Sequence, residues 1–416
     1  MFSRLTLIAP IACLLSVVVQ SVTAGPLSEA YAKAVAFDAQ VQAARAERDV
    51  NQISAKTAAA AYYPQFQASY SQLETETSPR QTYTVSQPLL NADRYFTLQE
   101  ATPRELFAAA TYQVREQDLS QRLVKAVSEL LRNHESLGLN KAKISALEKQ
   151  ALSAQRSFEV GQGTVTDVRD TKVRLDQSRA ESMMLEAQIS ASERQITALT
   201  GAPASPLMLS IPRAARGVIL KPQDHYINAA MQGSPQLVLA RQSQRIGELA
   251  VRRADGAIWP TLSAVFTVSA SGGDSKSYTG ISLGLPLQAG TFYQSRSAAA
   301  GATKLLEQTR DAELRAGLDV QRLWALVNAG RSEVAIRLEA IQSAELSVEG
   351  NEKSFRGGVR SQIDVLNSIQ TLFQVRQDYV NSVLTLAENY LNLLLHAATP
   401  PEDAISQVQT VLFPGR

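Results

Sequence analysis

Cysteine is almost absent from this chain of 416 residues, which contains only Cys13. That residue lies in an N-terminal segment where Arg4 precedes a mostly apolar run ending in Val22-Thr23-Ala24. A basic start, a short apolar run and small terminal residues are typical of a secretory signal peptide. The alternative, a membrane anchor, would need a longer apolar run. We expect residues 1–24 to be removed after export, which leaves a chain without disulfides.

Histidine and net charge are also scarce. The three histidines, His134, His225 and His396, lie far apart and follow no metal-ligand spacing. A net charge of +2, with 19% charged residues, gives no reason to expect a nucleic-acid partner. The sequence also shows no motif for a nucleophile, a metal or a phosphate group. We therefore expect a protein that is not an enzyme, uses no cofactor and binds no nucleic acid.

Proline is absent from residues 104–202 and 287–399. Because proline disrupts helix interiors, its absence permits very long helices. Apolar residues recur in both stretches at intervals of seven or fourteen, as in coiled coils. In the first stretch they are Leu137, Ile144, Ala151, Phe158, Val168, Leu175, Ile189 and Ile196; in the second they are Val334, Ile341, Val348, Phe355, Val365, Leu372, Leu386 and Leu393. Each stripe is interrupted once by glycines, which predicts a long antiparallel helical hairpin with a tight turn at its tip.

The interruption occurs twice in the chain. SFEVGQGTVTDV begins at Ser157, and SFRGGVRSQIDV begins 197 residues later at Ser354. Other matches between the two halves keep an offset of 196 to 198 residues, which indicates a duplicated subdomain. After the signal peptide, the predicted units are a first repeat at 25–200, a linker at 201–222, a second repeat at 223–399 and a tail at 400–416. Each repeat is predicted to contain one helix, then two β-strands and a long helical hairpin. The hairpin-tip residues interpreted as turn glycines with positive φ are Gly161, Gly163, Gly357 and Gly358.

After residue 24, no run approaches the ~20 apolar residues of a membrane-spanning helix. Segments of about ten residues instead alternate apolar with small polar side chains, as transmembrane β-strands do. Two lie in each repeat, at 65–73, 81–89, 261–270 and 278–287. Soluble surface hairpins are the alternative interpretation. If the strands lie in lipid, four are too few to close a barrel, so several chains must contribute strands.

Several of these motifs together resemble a known family. They are FEVGQGTVTDV with the closing ITALTG, FRGGVRSQIDVLN, and the Tyr-Pro and Gln-Pro-Leu strand flanks. The chain resembles the TolC family of outer-membrane factors over essentially its whole mature length. The resemblance implies a mostly α fold with β: duplicated coiled-coil hairpins, and four strands per chain that form a 12-stranded β-barrel in a homotrimer.

The resemblance also implies a location and partners. The barrel would lie in the lipid of the outer membrane of a Gram-negative bacterium, and the helices would form a tunnel through the periplasm. The tunnel would dock onto a periplasmic adaptor and an inner-membrane ABC transporter or other pump. Because the pump supplies the energy, the chain would act as a passive duct.

In the family, hydrogen bonds and salt bridges near the hairpin tips close the periplasmic end. The resemblance maps gate and constriction positions onto Thr166, Asp167, Arg360 and Asp364. Two positions depart from the family, because Phe355 replaces a tyrosine and Asn367 replaces the second acid of the constriction ring. These departures predict a gate that opens more easily and a weaker cation preference.

These gate residues also have simpler interpretations. Asp167 and Asp364 each follow glycines where a helix restarts, so either carboxylate can cap free amides. Arg360 could be a solvated loop residue, or it could pair with a neighbouring acid such as Asp167.

The missing lipid-attachment cysteine and the TolC-like GQGTVTDV tip favour a non-acylated, TolC-type duct. The family resemblance then implies type I protein secretion as its function, because many such proteins serve that system. The alternative within the class is the outer-membrane component of a multidrug efflux pump. From a different class, a periplasmic coiled-coil adaptor would also contain helical hairpins. Two full repeats leave no room for the lipoyl-like and β-barrel domains of such adaptors.

Overall fold

The computed structural model describes residues 25–72, 78–203, 218–286 and 289–412. The expected signal peptide with Cys13, most of the linker at 201–222 and the end of the tail lie outside these ranges.

Helices form most of the described structure, together with one small sheet. The helices are α1 (Pro26–Phe37), α2 (Ala39–Ala60), α3 (Ala92–Glu159), α4 (Val165–Thr200), α5 (Gln223–Gly233), α6 (Pro235–Gly256), α7 (Ala289–Arg356), α8 (Gln362–His396) and α9 (Pro401–Leu412). The strands are β1 (Gln65–Ser71), β2 (Arg80–Leu90), β3 (Thr261–Ser271) and β4 (Asp274–Gly284). None of the described helices is long and apolar enough to cross a membrane.

The two long hairpins are confirmed. Both α3 and α7 have 68 residues, about 100 Å at 1.5 Å per residue, and each packs against the helix that follows its tip. Over most of their length, the predicted apolar stripes lie on the helix faces that pack against other helices. Ile196, Val365 and Leu393 of these stripes are almost completely buried. Phe158, beside the first tip, remains 44% exposed.

Each repeat begins with two short helices, whereas the sequence predicted one. A single residue, Asp38, separates α1 from α2, and its side chain accepts hydrogen bonds from the backbone N–H groups of Gln40 and Val41. In the second repeat Ser234 separates α5 from α6, and Pro235 takes the first helical position. A break of one residue barely disturbs the apolar pattern, so the periodicity did not reveal it.

The sheet is antiparallel with the order β1-β2-β3-β4. The sequence placed the start of the last strand at 278, but β4 begins at Asp274 because the hairpin turn has only two residues. Gly272 and Gly273 both have positive φ, the geometry that favours tight hairpins. Polar residues after the turn therefore pair with β3, from Asp274 opposite Ser271 onward.

The strand register separates an apolar from a polar face. Phe66 lies opposite Val85, which lies opposite Phe266. On the other face, the hydroxyl oxygens of Thr84 and Thr267 are 3.2 Å apart. The apolar face is not covered by the rest of the described chain, since Phe66 is 68% exposed.

The main hydrophobic core lies around the middle of the long helices. Leu119 and Leu123 of α3 pack there with Leu384 of α8 and with α1 and α9. The α9 residue Gln409 also accepts hydrogen bonds from the free N–H groups at the start of α1. The tail thus contributes to this core around the middle of the long helices.

The helices are arranged side by side. Both α6 and α8 pack between α3 and α7, and α2 and α4 pack on α3. Toward the tips, a separate cluster of buried apolar residues contains only Leu147, Leu175 and Leu366, with Ile144 packed against it. The two hairpins therefore share much less buried apolar surface near the tips than around the middle of the long helices.

Candidate functional site

Both hairpin tips end their incoming helix with the same hydrogen-bond pattern. At the first tip, Gln162 N–H donates to the Ser157 carbonyl and Gly161 N–H donates to the Phe158 carbonyl. At the second tip, Val359 and Gly358 donate to the equivalent carbonyls of Ser354 and Phe355. This is the Schellman motif, in which one residue takes a left-handed conformation. That residue is Gly161 at one tip and Gly358 at the other, with φ of 76° and 75°.

The prediction of positive φ is wrong for the other two tip glycines. At Gly163 the space is tight instead, since a Cβ there would lie 3.1 Å from the backbone nitrogen of Phe158, so a side chain would require a small shift of the neighbouring backbone. Gly357 has no such restriction, because its nearest neighbour would be a carbonyl oxygen at 3.6 Å.

Asp167 and Asp364 each belong to a capping box at the start of the outgoing helix. The Asp167 carboxylate accepts hydrogen bonds from the backbone N–H and hydroxyl of Thr164. The Asp364 carboxylate accepts the same two bonds from Ser361. In return, each hydroxyl accepts the aspartate's own backbone N–H. Both aspartates therefore help to begin a helix at the tip.

The surroundings of Asp364 favour its charged form. The backbone N–H and the hydroxyl of Ser361 hold the pKa of this carboxyl below its usual value, and Arg360 adds to the effect. Arg360 Nη1 lies 3.9 Å from Asp364 Oδ1, a pair within one turn of the same tip. Within the chain, the acid beside Arg360 is therefore Asp364, whereas the sequence suggested Asp167 as an example.

The remaining mapped positions lie close to these capping boxes. Thr166 is exposed in the first turn of α4, and Phe355 is half-buried near the end of α7. Asn367 lies one turn beyond Asp364 on α8, where its side-chain oxygen accepts a hydrogen bond of 3.0 Å from Arg174 Nη2 of α4.

Sequence reasoning missed Arg174. It lies seven residues after Asp167, on the other hairpin from Asn367. No local motif marks the pair, because the contact depends on how the two hairpins pack together.

The tips also expose apolar side chains. Val160, Val165 and Val359 are 69%, 50% and 81% exposed. Among the described residues, no group of three or more His, Cys, Asp or Glu side chains could hold a metal ion. The candidate site is therefore a polar and apolar surface at the helix ends without a metal cluster in the described ranges.

A family model for outer membrane efflux proteins matches residues 30–202 and 226–397. The chain belongs to the outer membrane efflux protein family. The two matched stretches cover most of the chain and include both hairpin tips.

Curated relatives of this outer membrane efflux protein match it along most of their length. An outer membrane protein TolC of Vibrio cholerae is 26% identical, over 88% of this chain and 91% of the relative. A protease secretion protein, PrtF of Dickeya chrysanthemi, is 26% identical over 92% and 90%. An outer membrane efflux protein, BepC of Brucella suis, is 23% identical over 86% and 82%. These relatives are named as outer-membrane, secretion and efflux proteins.

Solved structures share the fold of this family member. VceC, an outer membrane protein from Vibrio cholerae, superposes with a TM-score of 0.75 at 18% identity, over 90% of this chain and 96% of its own. The CmeC outer membrane channel from Campylobacter jejuni gives a TM-score of 0.77 at 12% identity, over 93% and 90%. At these identities the likeness concerns the fold.

Proposed function

We propose that this chain is one of three identical subunits of an exit duct through the outer membrane of a Gram-negative bacterium, serving type I protein secretion. The main supporting observation is the four-stranded sheet, whose apolar face is exposed and whose β1 and β4 each pair with only one strand of the described chain. In lipid, both unpaired edges would leave backbone groups without hydrogen-bond partners.

A second copy of the chain is the partner that satisfies these edges. If β4 of one chain pairs with β1 of the next, a ring of identical contacts forms. Helix α7 supports this arrangement, because Leu314, Leu318 and Ile336 are each more than 60% exposed along it. Water is a poor environment for such a row of apolar side chains, and a neighbouring chain would cover it.

The number of three chains follows from the family resemblance and agrees with barrel geometry. Two chains would supply eight strands, which is the size of the smallest known barrels. Side chains fill the interior of a barrel of that size. Three would supply twelve strands and leave space for an aqueous lumen. The polar face with Thr84 and Thr267 would line that lumen, and the apolar face with Phe66 would contact lipid.

Protein secretion is supported by the names of two relatives, the protease secretion protein PrtF and the alkaline protease secretion protein AprF of Pseudomonas aeruginosa. Drug efflux remains the second candidate because BepC is named an efflux protein. Family membership argues against the third alternative, a periplasmic adaptor. The partners that we propose are an adaptor, which docks at the tips, and an inner-membrane ABC transporter, which supplies the energy.

We also propose that the tips form the periplasmic gate. Thr166 and Asp167 lie on one tip, and Phe355, Arg360, Asp364 and Asn367 lie on the other. Because Asp167 and Asp364 already have capping bonds within their own chain, contacts between chains would add to a fixed tip geometry. Phe355 supplies no hydroxyl, so the closed state would have fewer hydrogen bonds than it would with the tyrosine of the family.

Two measurements test the duct. Purified mature protein in detergent should have the mass of a trimer and should form channels in planar bilayers. A stable monomer that does not insert into bilayers would contradict the proposal. N-terminal sequencing should give Gly25 as the first residue, as expected from removal of residues 1–24.

A deletion strain separates the two cargo classes. Loss of secreted proteins with unchanged drug sensitivity supports type I secretion, whereas increased drug sensitivity with normal secretion supports efflux.

A further inference from the structure

Near the tips, the two hairpins of one chain enclose a groove of about 510 Å³ between α4 and α8. Leu147, Leu366 and Ile369 are buried residues of its lining, and Arg174 and Gln370 lie on opposite walls. The cluster around Leu147, Leu175 and Leu366 is small compared with the main core. A region with few buried apolar contacts opens at a lower free energy than the core does.

Near the tips, polar contacts therefore contribute a larger share of the interactions that hold α8 in place than they do in the main core. The Gln362 amide donates to the Gln150 oxygen of α3 at 3.1 Å. Arg174 donates to Asn367 across the groove, from α4 to α8. The two bonds hold the first two turns of α8 against the first hairpin.

We propose that Arg174 is a latch residue, which holds the start of α8 against α4 through Asn367. This inference rests on the proposed function for its consequence, because the latch would keep the periplasmic end of the duct closed. Arg174 corresponds to none of the gate positions mapped by the family resemblance.

The latch also changes the meaning of Asn367. As a replaced ring acid, Asn367 would merely weaken the gate and its cation preference. As the acceptor of a guanidinium, it forms part of a tie within the chain. The two ideas make different predictions for Asn367→Asp. As a ring acid, the new aspartate would change the cation preference of the pore. As part of the latch, it would accept a charge-assisted hydrogen bond from Arg174 and hold α8 more firmly.

Hydrogen exchange of the full mature protein in detergent tests the latch without requiring transport. Arg174→Ala should speed exchange of amides at 362–370 about fivefold, the effect of losing one ordinary net hydrogen bond. These amides belong to α8, so the helix propensity of the substituted residue in α4 does not affect them. When Asn367→Ala is already present, Arg174→Ala should add nothing. Asn367→Asp alone should slow the exchange.

Arg179→Ala is the matched control. Arg179 is also on α4, but its guanidinium lies 2.9 Å from Glu148 of α3 in the same hairpin. Its loss should leave exchange in α8 unchanged. Three results would each overturn the latch. The exchange rate in α8 could be unchanged by Arg174→Ala, the effects of Arg174→Ala and Asn367→Ala on that rate could add in the double variant, or Arg179→Ala could raise the rate as much as Arg174→Ala does. Should Arg174→Ala fail to fold, Asn367→Asp still decides, because unchanged or faster exchange contradicts the proposal.

Bilayer recordings separate the latch from the duct. Spontaneous opening should become about fivefold more frequent in Arg174→Ala than in the wild type, in parallel with the exchange. If the wild type forms no channel but the exchange results hold, the proposed function fails and the latch stands. If channels form and exchange in α8 is unchanged, the latch fails and the duct stands.

Discussion

At the residue scale, the two tips share the positions that their geometry requires. Gly161 and Gly358 occupy equivalent slots of the repeat, and both have positive φ. Thr164 and Ser361 are equivalent too, as are the two capping aspartates. Gly163 and Gly357 have no glycine counterpart in the other copy. Comparison of the copies could therefore have shown from sequence which glycine takes the left-handed conformation.

The second tip allows a direct test of this distinction. Gly358→Ala should destabilise the protein by about 1 kcal/mol, because an alanine side chain disfavours positive φ. Gly357→Ala should be neutral or stabilise by about 0.5 kcal/mol, since it restricts the unfolded chain without strain in the folded one. Thermal unfolding in detergent measures both. A loss of equal size in the two variants would contradict the argument.

The capping box of α8 predicts a pH dependence. The pKa of Asp364 is lowered in the folded protein, so its stabilising contribution is present at neutral pH. That contribution is lost as the pH falls below 3.8, the usual pKa of an aspartate, and through the lower folded value. Asp364→Ala should therefore melt at a lower temperature than the wild type at pH 7, and the difference should disappear in acid. A difference in melting temperature that is independent of pH would contradict this role.

At the element scale, the long helices and the strands could be predicted because each is long or strongly periodic. The apolar periodicity did not reveal the breaks at Asp38 and Ser234. A local signal could have indicated the second break, because Gly233-Ser234-Pro235 contains an N-cap residue followed by a helix-starting proline. Helix α9 lies after the second predicted repeat, so the duplication of the hairpins gave no guidance for it. The latch at Arg174 depends on packing between hairpins, which no local pattern encodes.

The contact between α3 and α9 contains a carboxylate, Glu116, whose surroundings disfavour its charged form. Burial raises the pKa of Glu116 on α3, and the charge of Glu402 on α9 raises it further, although Tyr112 and two arginines act in the opposite direction. A raised carboxyl pKa means that stability falls as the pH rises from 4.5, its usual value, through the folded pKa. The penalty reaches its full size once the pH exceeds the folded pKa of Glu116.

Glu116→Gln should remove this penalty. We expect its melting temperature at pH 7 to rise by roughly 1–2 °C, and the gain to vanish below the usual glutamate pKa. Glu186→Gln, at an exposed position on α4, is the control and should change little. A melting temperature for Glu116→Gln below that of the wild type at pH 7 would show that the carboxylate's bonds outweigh its burial.

At the scale of the whole molecule, the described part of the chain leaves large surfaces uncovered. The apolar sheet face, the two sheet edges and the apolar row on α7 are exposed within the ranges that the structure describes. Strand alternation in the sequence predicted the sheet face, and the count of four strands predicted a need for partners. The number of subunits depends on strand tilt and stagger in the closed ring, which one chain's sequence does not specify.

The two sheet faces give the sharpest test of the membrane assignment. Phe266, in the middle of β3, lies on the apolar face, and Thr267 beside it lies on the polar face. In the proposed barrel, Phe266→Arg would place a charge in lipid at a cost of about 2–4 kcal/mol near the midplane. We expect less folded protein in vesicles, measured by protease protection.

Thr267→Arg is the matched control, because it adds the same charge to the same strand. Its side chain would face the water-filled interior, where a guanidinium remains solvated, so folding into vesicles should be close to wild type. A pair of soluble surface hairpins would give the opposite ranking, because an arginine at exposed Phe266 would be harmless there and Thr267 would lose its contact with Thr84. The order of the two variants therefore decides which sheet face contacts lipid.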